Sequence, residues 1–186
     1  MTRLIRIAAV ATLQVVVLLG MIANKQWTIL TGTPVVLATR AVDPRSLFMG
    51  DYARLSYDIG SLKLEGDGAI RGDRGFGRRD TVWVALRPDP AGAVAVSAHH
   101  DRRDVPPGLL ALRGEVVAEV GPSGQDTLLV RYGIEQYFVP EGTGMQIERP
   151  QAGETLAIRV AIDQRGQAAI LAVLFDGQER YRETLF

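Results

Sequence analysis

Gly50-Asp51-Tyr52-Ala53-Arg54-Leu55-Ser56-Tyr57, preceded by Val42-Asp43-Pro44-Arg45, passes from turn chemistry into strand chemistry within a few residues. Proline holds its own φ near −65° and pushes the residue before it out of the α region, so Asp43-Pro44 opens a turn. Gly50 is free to take positive φ, and the Asp51 carboxylate can fold back onto nearby backbone N–H groups. From Tyr52 the side chains alternate: Tyr52, Arg54, Ser56 and Asp58 on one face, Ala53, Leu55, Tyr57 and Ile59 on the other.

The same chemistry repeats on both sides of this stretch. Pro34–Arg40 precedes the stretch as a first strand, rich in β-branched residues after the Thr31-Gly32-Thr33 breaker. Residues 60–79 carry many glycines and charges and read as a long exposed loop. It contains no GxxxxGK[ST] and has no strand–loop–helix context, so a plain exposed loop is favoured over a P-loop-type phosphate cradle. Thr81–Leu86 and Ala93–Ala98 form a hairpin around Pro88-Asp89-Pro90-Ala91-Gly92. Leu110–Val120 alternates, with Gly114 where a sheet would bend. Gly121–Gly124 turns it into Thr127–Tyr132, and Glu141–Glu148 is a candidate short helix or lid between Pro140 and Pro150. Thr155–Ile162, Ala168–Phe175 and Gln178–Leu185 close the chain across the turns Asp163–Gln167 and Asp176-Gly177. About nine short strands punctuated by Gly and Pro predict a mainly β body, a single β-barrel or β-sandwich domain.

Towards the N-terminus the chain changes character. Arg3 and Arg6 lead into an apolar run from Ile7 to Ala23, a segment of 20 residues when counted from Leu4. As a helix that segment is about 30 Å long, the thickness of a bilayer's hydrocarbon core. Basic residues on its N-terminal side favour a cytoplasmic N-terminus, and Trp27 suits the far interface. The competing reading is a cleaved signal peptide, against which stand the length of the run and Met21 at the −3 position relative to cleavage after Ala23. The division expected is a membrane anchor over residues 1–27 and an extracytoplasmic β domain over residues 28–186. That makes a single-pass protein of the cell inner membrane, facing the periplasm or cell exterior.

Gly50, Asp51, Tyr52, Leu55 and Tyr57 resemble the signature of the GDYXXLXY family of membrane-anchored bacterial proteins. The Val42–Arg45 stretch and the later Tyr137-Phe138-Val139-Pro140-Glu141-Gly142 segment extend the resemblance over most of the chain. It implies an envelope protein often found beside multi-pass membrane proteins. The family has no established catalytic residues, so none carries over.

Composition removes several functions. Lys plus Arg equals Asp plus Glu at 21 each, so no general electrostatic drive toward nucleic acid exists. Cysteine is absent among the 186 residues, which excludes disulfides and thiol chemistry. His99 and His100 are the only histidines, and neighbours on a strand point to opposite faces, a poor arrangement for chelating metal. No cofactor fingerprint is present.

Two enzymatic readings stand as alternatives. A signal-peptidase-like hydrolase would use Ser46 before Gly50-Asp51 with a lysine base, but Lys25 and Lys63 are the only lysines, and Lys63 borders a polar loop where it would stay protonated. A carboxylate-dependent hydrolase or calcium site would draw on Asp51, Glu135 and Glu141, although turn carboxylates usually serve their own backbone, and Arg54 or Arg131 could pair with Glu135 across strands. The favoured reading is a binding or scaffolding module acting with a membrane-protein partner, with Asp51, Tyr52, Arg54, Glu135 and Tyr137 as one candidate surface. It requires the signature strand and the Tyr132–Tyr137 segment to be neighbours, making an aromatic groove with a polar rim. For Tyr57, on the apolar side, core packing is favoured.

Overall fold

The computed structural model of the protein describes residues 2–40, 52–66, 68–120, 127–138 and 155–182, with positions 2, 52–54 and 138 described by backbone alone. One helix, α1 (Thr2–Thr31), is followed by a mostly β body of two principal sheets, one curled into a half-barrel. The helix is long and apolar enough to cross a membrane, and its apolar side chains from Leu4 to Ile22 are exposed. It does not stop at Ala23. Nothing between Asn24 and Thr31 breaks a helix, and the chain enters the first strand through Gly32 alone. The helix therefore runs about two turns past the apolar segment, across the expected boundary between residues 27 and 28.

One sheet is built from β1 (Thr33–Arg40), β3 (Ser56–Tyr57), β11 (Leu156–Ile162), β12 (Ala168–Phe175) and β13 (Gln178–Arg182), in the order β13-β12-β11-β1-β3. The other contains β4 (Ser61–Lys63), β5 (Arg71–Gly72), β6 (Thr81–Arg87), β7 (Val94–His99), β8 (Leu110–Val120) and β9 (Thr127–Arg131), ordered β4-β9-β8-β6-β7-β5. Register shifts at Ala85/Leu86 and Val116/Ala118 interrupt its ladders, and such bulges increase the local bend of a sheet. A two-stranded ribbon joins β2 (Tyr52–Arg54) to β10 (Gln136–Phe138).

The inward side chains of both sheets meet in one core, including Leu37, Val84, Leu112, Leu128, Ile158 and Val173. β12 is buried along nearly its whole length, as its two-faced apolar sequence predicts. Asp176 and Gly177 both take positive φ, 49° and 76°, the backbone a two-residue hairpin turn needs to match strand twist. Residues 60–79 differ from the expected loop. Leu62, Leu64, Ile70 and Phe76 are buried there, and β4 and β5 add strands to the sheet edges. The glycines between them conceal an apolar residue every few positions, which anchors the segment. The turn 121–124, the 141–148 segment with Glu141, and Ser46 lie outside the described residues.

Candidate functional site

The signature strand changes partners midway. Tyr52, Ala53 and Arg54 pair with Phe138, Tyr137 and Gln136 of β10, and the Leu55 N–H still donates to the Glu135 carbonyl at 2.9 Å. Ser56 and Tyr57 then pair with Arg40 and Thr39 of β1. The signature thus stitches the ribbon to the five-stranded sheet, and the adjacency of the two segments that the groove reading requires is present. The alternation continues through it: Leu55, Tyr57 and Ile59 are buried, Ser56 and Asp58 exposed.

Two tyrosines lock this crossing. The Tyr57 hydroxyl donates to the Ile134 carbonyl at 2.7 Å, and the Tyr132 hydroxyl donates to the Ile59 carbonyl at 2.6 Å. Each ring comes from one segment and each acceptor from the other, so the bonds cross between residues 57–59 and 132–134. Buried carbonyls and phenols both need partners, and each meets the other's requirement. Gly114 lies against the Tyr132 ring. A Cβ there would stand 2.3 Å from Val130 Cγ1 and 3.0 Å from the Tyr132 ring, so its lack of a side chain makes room for Tyr132.

Glu135 completes the arrangement from below. Its carboxylate accepts the N–H groups of Tyr132 at 2.5 Å and Gly133 at 2.9 Å, closing the turn between β9 and β10. Burial raises the pKa of Tyr57 and of Tyr132 well above the ordinary tyrosine value, and the nearby charge of Glu135 adds to it. These phenols are held neutral as hydrogen-bond donors.

The five candidate surface residues divide. Tyr137 is buried and Glu135 is half-buried with its oxygens turned to its own backbone. Tyr52 and Arg54 occupy β2 one step out of phase with the Ala53–Tyr137 pair, and Asp51 lies outside the described residues. Arg131 pairs with Glu115 at 2.9 Å, not with Glu135.

A second cluster, which the sequence reading missed, joins α1 to the body. Asp163 opens the turn between β11 and β12 and is buried. Its carboxylate accepts the Thr28 hydroxyl at 2.8 Å, the N–H groups of Arg165 and Gln167 at 2.8 and 3.0 Å, and the Arg165 guanidinium at 2.9 Å. Burial works to raise the Asp163 pKa, but the hydrogen bonds from Gln167, Thr28 and Arg165 outweigh it and hold the group below the usual carboxylate value. Arg165 also donates to Asn24 Oδ1 at 2.7 Å, and Asn24 Nδ2 donates to Gln167 Oε1 at 3.3 Å. Gly166 takes φ 74° and seats its carbonyl on the Arg113 N–H at 2.9 Å, where a Cβ would stand 2.5 Å from Trp83 Cζ3. One turn therefore holds the helix on one side and the six-stranded sheet on the other. An Asp–polar–Arg–Gly–polar run reads locally as a turn, and the only hint of its second role is a helix with no breaker before Gly32.

Ser97, His99 and Asp73 stand in the order of a hydrolytic relay. Ser97 Oγ is 2.8 Å from His99 Nε2, and Asp73 Oδ1 is 3.9 Å from His99 Nδ1. Ser97 is only 4% exposed, however, and the other Asp73 oxygen accepts the His100 N–H at 2.7 Å. A hydroxyl so buried does not reach a substrate carbonyl, and the three side chains instead tie the segment after β5 to β7. Among the described residues no group of three or more His, Cys, Asp or Glu side chains is placed to hold a metal ion. Lys63 is exposed, as its sequence setting beside a polar loop predicts.

Fold and sites together define a β body that carries one N-terminal apolar helix and is organised around a sheet-crossing signature strand. The chain belongs to the GDYXXLXY protein family, whose sequence model matches residues 14–173. No curated protein and no solved structure gives a significant match.

Proposed function

We propose that the chain is a single-pass, membrane-anchored binding module whose β domain faces the periplasm or cell exterior and engages a membrane-protein partner. The observation that carries this reading is the junction at Asp163. A domain tethered by a loose linker samples many orientations, whereas here Thr28, Asn24 and Arg165 fix the body against the last turns of an exposed apolar helix. An anchored domain also meets membrane partners at high effective concentration, so modest contacts suffice. The helical turns after Ala23, held by the body, favour a retained anchor over a removed leader, and the basic Arg3 and Arg6 favour an N-terminus in the cytoplasm. Residues 28–186 are then the external domain, although its hold on the helix begins at Asn24.

The recognition region proposed is Asp51, Tyr52 and Arg54, with Glu135 and Tyr137 in the turn and strand that support β2. Affinity capture of the tagged full chain from detergent extracts tests it. Wild type is expected to recover a membrane protein that Asp51→Ala and Tyr52→Ala lose while melting like wild type. Equal recovery by all three would remove this surface from consideration. A C-terminal reporter active only in the cytoplasm is expected to stay silent, and activity there would reverse the orientation.

A further inference from the structure

Beside the helix junction, the outer face of the six-stranded sheet carries an open groove of about 550 Å³, within the range of small-ligand sites. Arg79, Arg113 and Arg131 line it together with one carboxylate, Glu115, and Gln167 forms part of its wall. Glu115 is taken by Arg131 at 2.9 Å. Arg79 and Arg113 have no carboxylate partner among the described residues. Two exposed guanidiniums facing one hollow without a counter-charge favour an anionic occupant.

Arg79 is also placed there at a backbone cost. It is one of two non-glycine described residues with positive φ, at 71°. Its N–H donates to the Val116 carbonyl at 2.8 Å, and the Val116 N–H returns to the Asp80 carbonyl at 2.9 Å. The Asp80 carboxylate accepts the Gly77 N–H at 2.7 Å and closes the turn. The surrounding bonds hold an arginine where glycine would sit without strain, and such outliers concentrate at ligand sites. The groove's position narrows the ligand. Gln167 in its wall bonds Asn24, the first polar residue after the apolar run of α1. If the helix spans a bilayer, this end of the groove lies at the level of the lipid headgroups.

We propose that this groove binds the phosphate of an anionic phospholipid headgroup in the leaflet from which α1 emerges. The guanidinium fork matches two phosphate oxygens at once, and a lysine in its place would not. The assignment of leaflet rests on the anchored reading above, but binding itself can be measured without a bilayer.

The test is native mass spectrometry of the detergent-solubilised full chain, titrated with short-chain phosphatidylglycerol, short-chain phosphatidylcholine and inorganic phosphate in separate arms. Phosphatidylglycerol is expected to bind preferentially, and Arg79→Gln with Arg113→Gln to weaken it at least tenfold. Arg87→Gln, an exposed arginine outside the groove, should leave it unchanged. Equal binding of both lipids, or a double variant that binds like wild type, would overturn the proposal. So would inorganic phosphate displacing the lipid at equal concentration, which would make the site one for free phosphate. Membrane fractionation of the same chain reports on the anchor separately, so failure of one reading is not mistaken for failure of the other.

Discussion

The turns built on Asp163 and on Glu135 use the same device with different neighbours. Each carboxylate gathers two backbone N–H groups, from Arg165 and Gln167 in one case and from Tyr132 and Gly133 in the other. Asp163 then takes a guanidinium and the hydroxyl of Thr28, from a helix far away in the sequence. Glu135 takes no cation among the described residues and lies beside two buried phenols. A carboxylate that serves a turn is unremarkable alone. What it holds beyond the turn separates a joint between elements from a local closure.

The largest effect expected follows from breaking the joint. Asp163→Ala leaves the Thr28 hydroxyl and two N–H groups facing a buried gap, at a cost of about 3 kcal/mol. Thermal unfolding of the full chain in detergent measures it, and protease sensitivity around residues 24–32 should rise. The acid limb gives a second reading. The folded pKa of Asp163 is below its unfolded value, so its contribution is complete above the unfolded pKa and is lost as pH falls through the folded one. Asp163→Asn should therefore lose less stability than wild type as the pH falls below about 4. Identical acid slopes would mean that the joint does not depend on the charge.

Next in size are the two tyrosine bonds. Tyr57→Phe orphans the Ile134 carbonyl, and Tyr132→Phe orphans that of Ile59, each costing about 1–2 kcal/mol. Their raised pKa values carry the opposite pH sign. The neutral phenol is favoured in the fold, so its contribution is whole below the unfolded pKa near 10 and is lost as pH rises beyond it. Absorbance at 295 nm should show Tyr57 and Tyr132 ionising only with alkaline unfolding. If the late step persists in the double phenylalanine variant, these are not the phenols responsible.

The two turns also show how much the sequence discloses. Alternation marked Leu55 and Tyr57 as buried, Ala168–Phe175 as a core strand and Asp176-Gly177 as a hairpin, because each signal is local and has period two. The pairing of the signature with the Tyr132–Tyr137 segment was reachable as a condition, since both carry family-like residues. Burial of Tyr137 was not, because a strand's phase becomes fixed only when its partner is known. The Asp163 joint depends on a contact between Thr28 and Asp163, and neither residue is unusual in its own surroundings. Residues 60–79 hid their anchors for a related reason: Leu62, Leu64, Ile70 and Phe76 follow no helix or strand period long enough to stand out against the glycines.

The smallest effect should come from Glu135→Gln, which tests whether this turn is as local as its partners suggest. The amide oxygen can keep one of the two N–H groups, while its NH2 faces the other, for a loss of about 1 kcal/mol. Unlike Asp163, Glu135 holds no second element by its side chain among the described residues, so α1 should remain as protected from protease as in wild type. The tyrosines supply the finer test. Burial is the larger cause of their raised pKa and the Glu135 charge the smaller, so removing the charge should move their ionisation only slightly towards that of free tyrosine. A 295 nm titration that falls back to the free value, with the fold intact, would show that the charge outweighs burial. Glu135 would then be an electrostatic control on the Tyr57–Tyr132 pair, and the contrast with Asp163 would have to be redrawn.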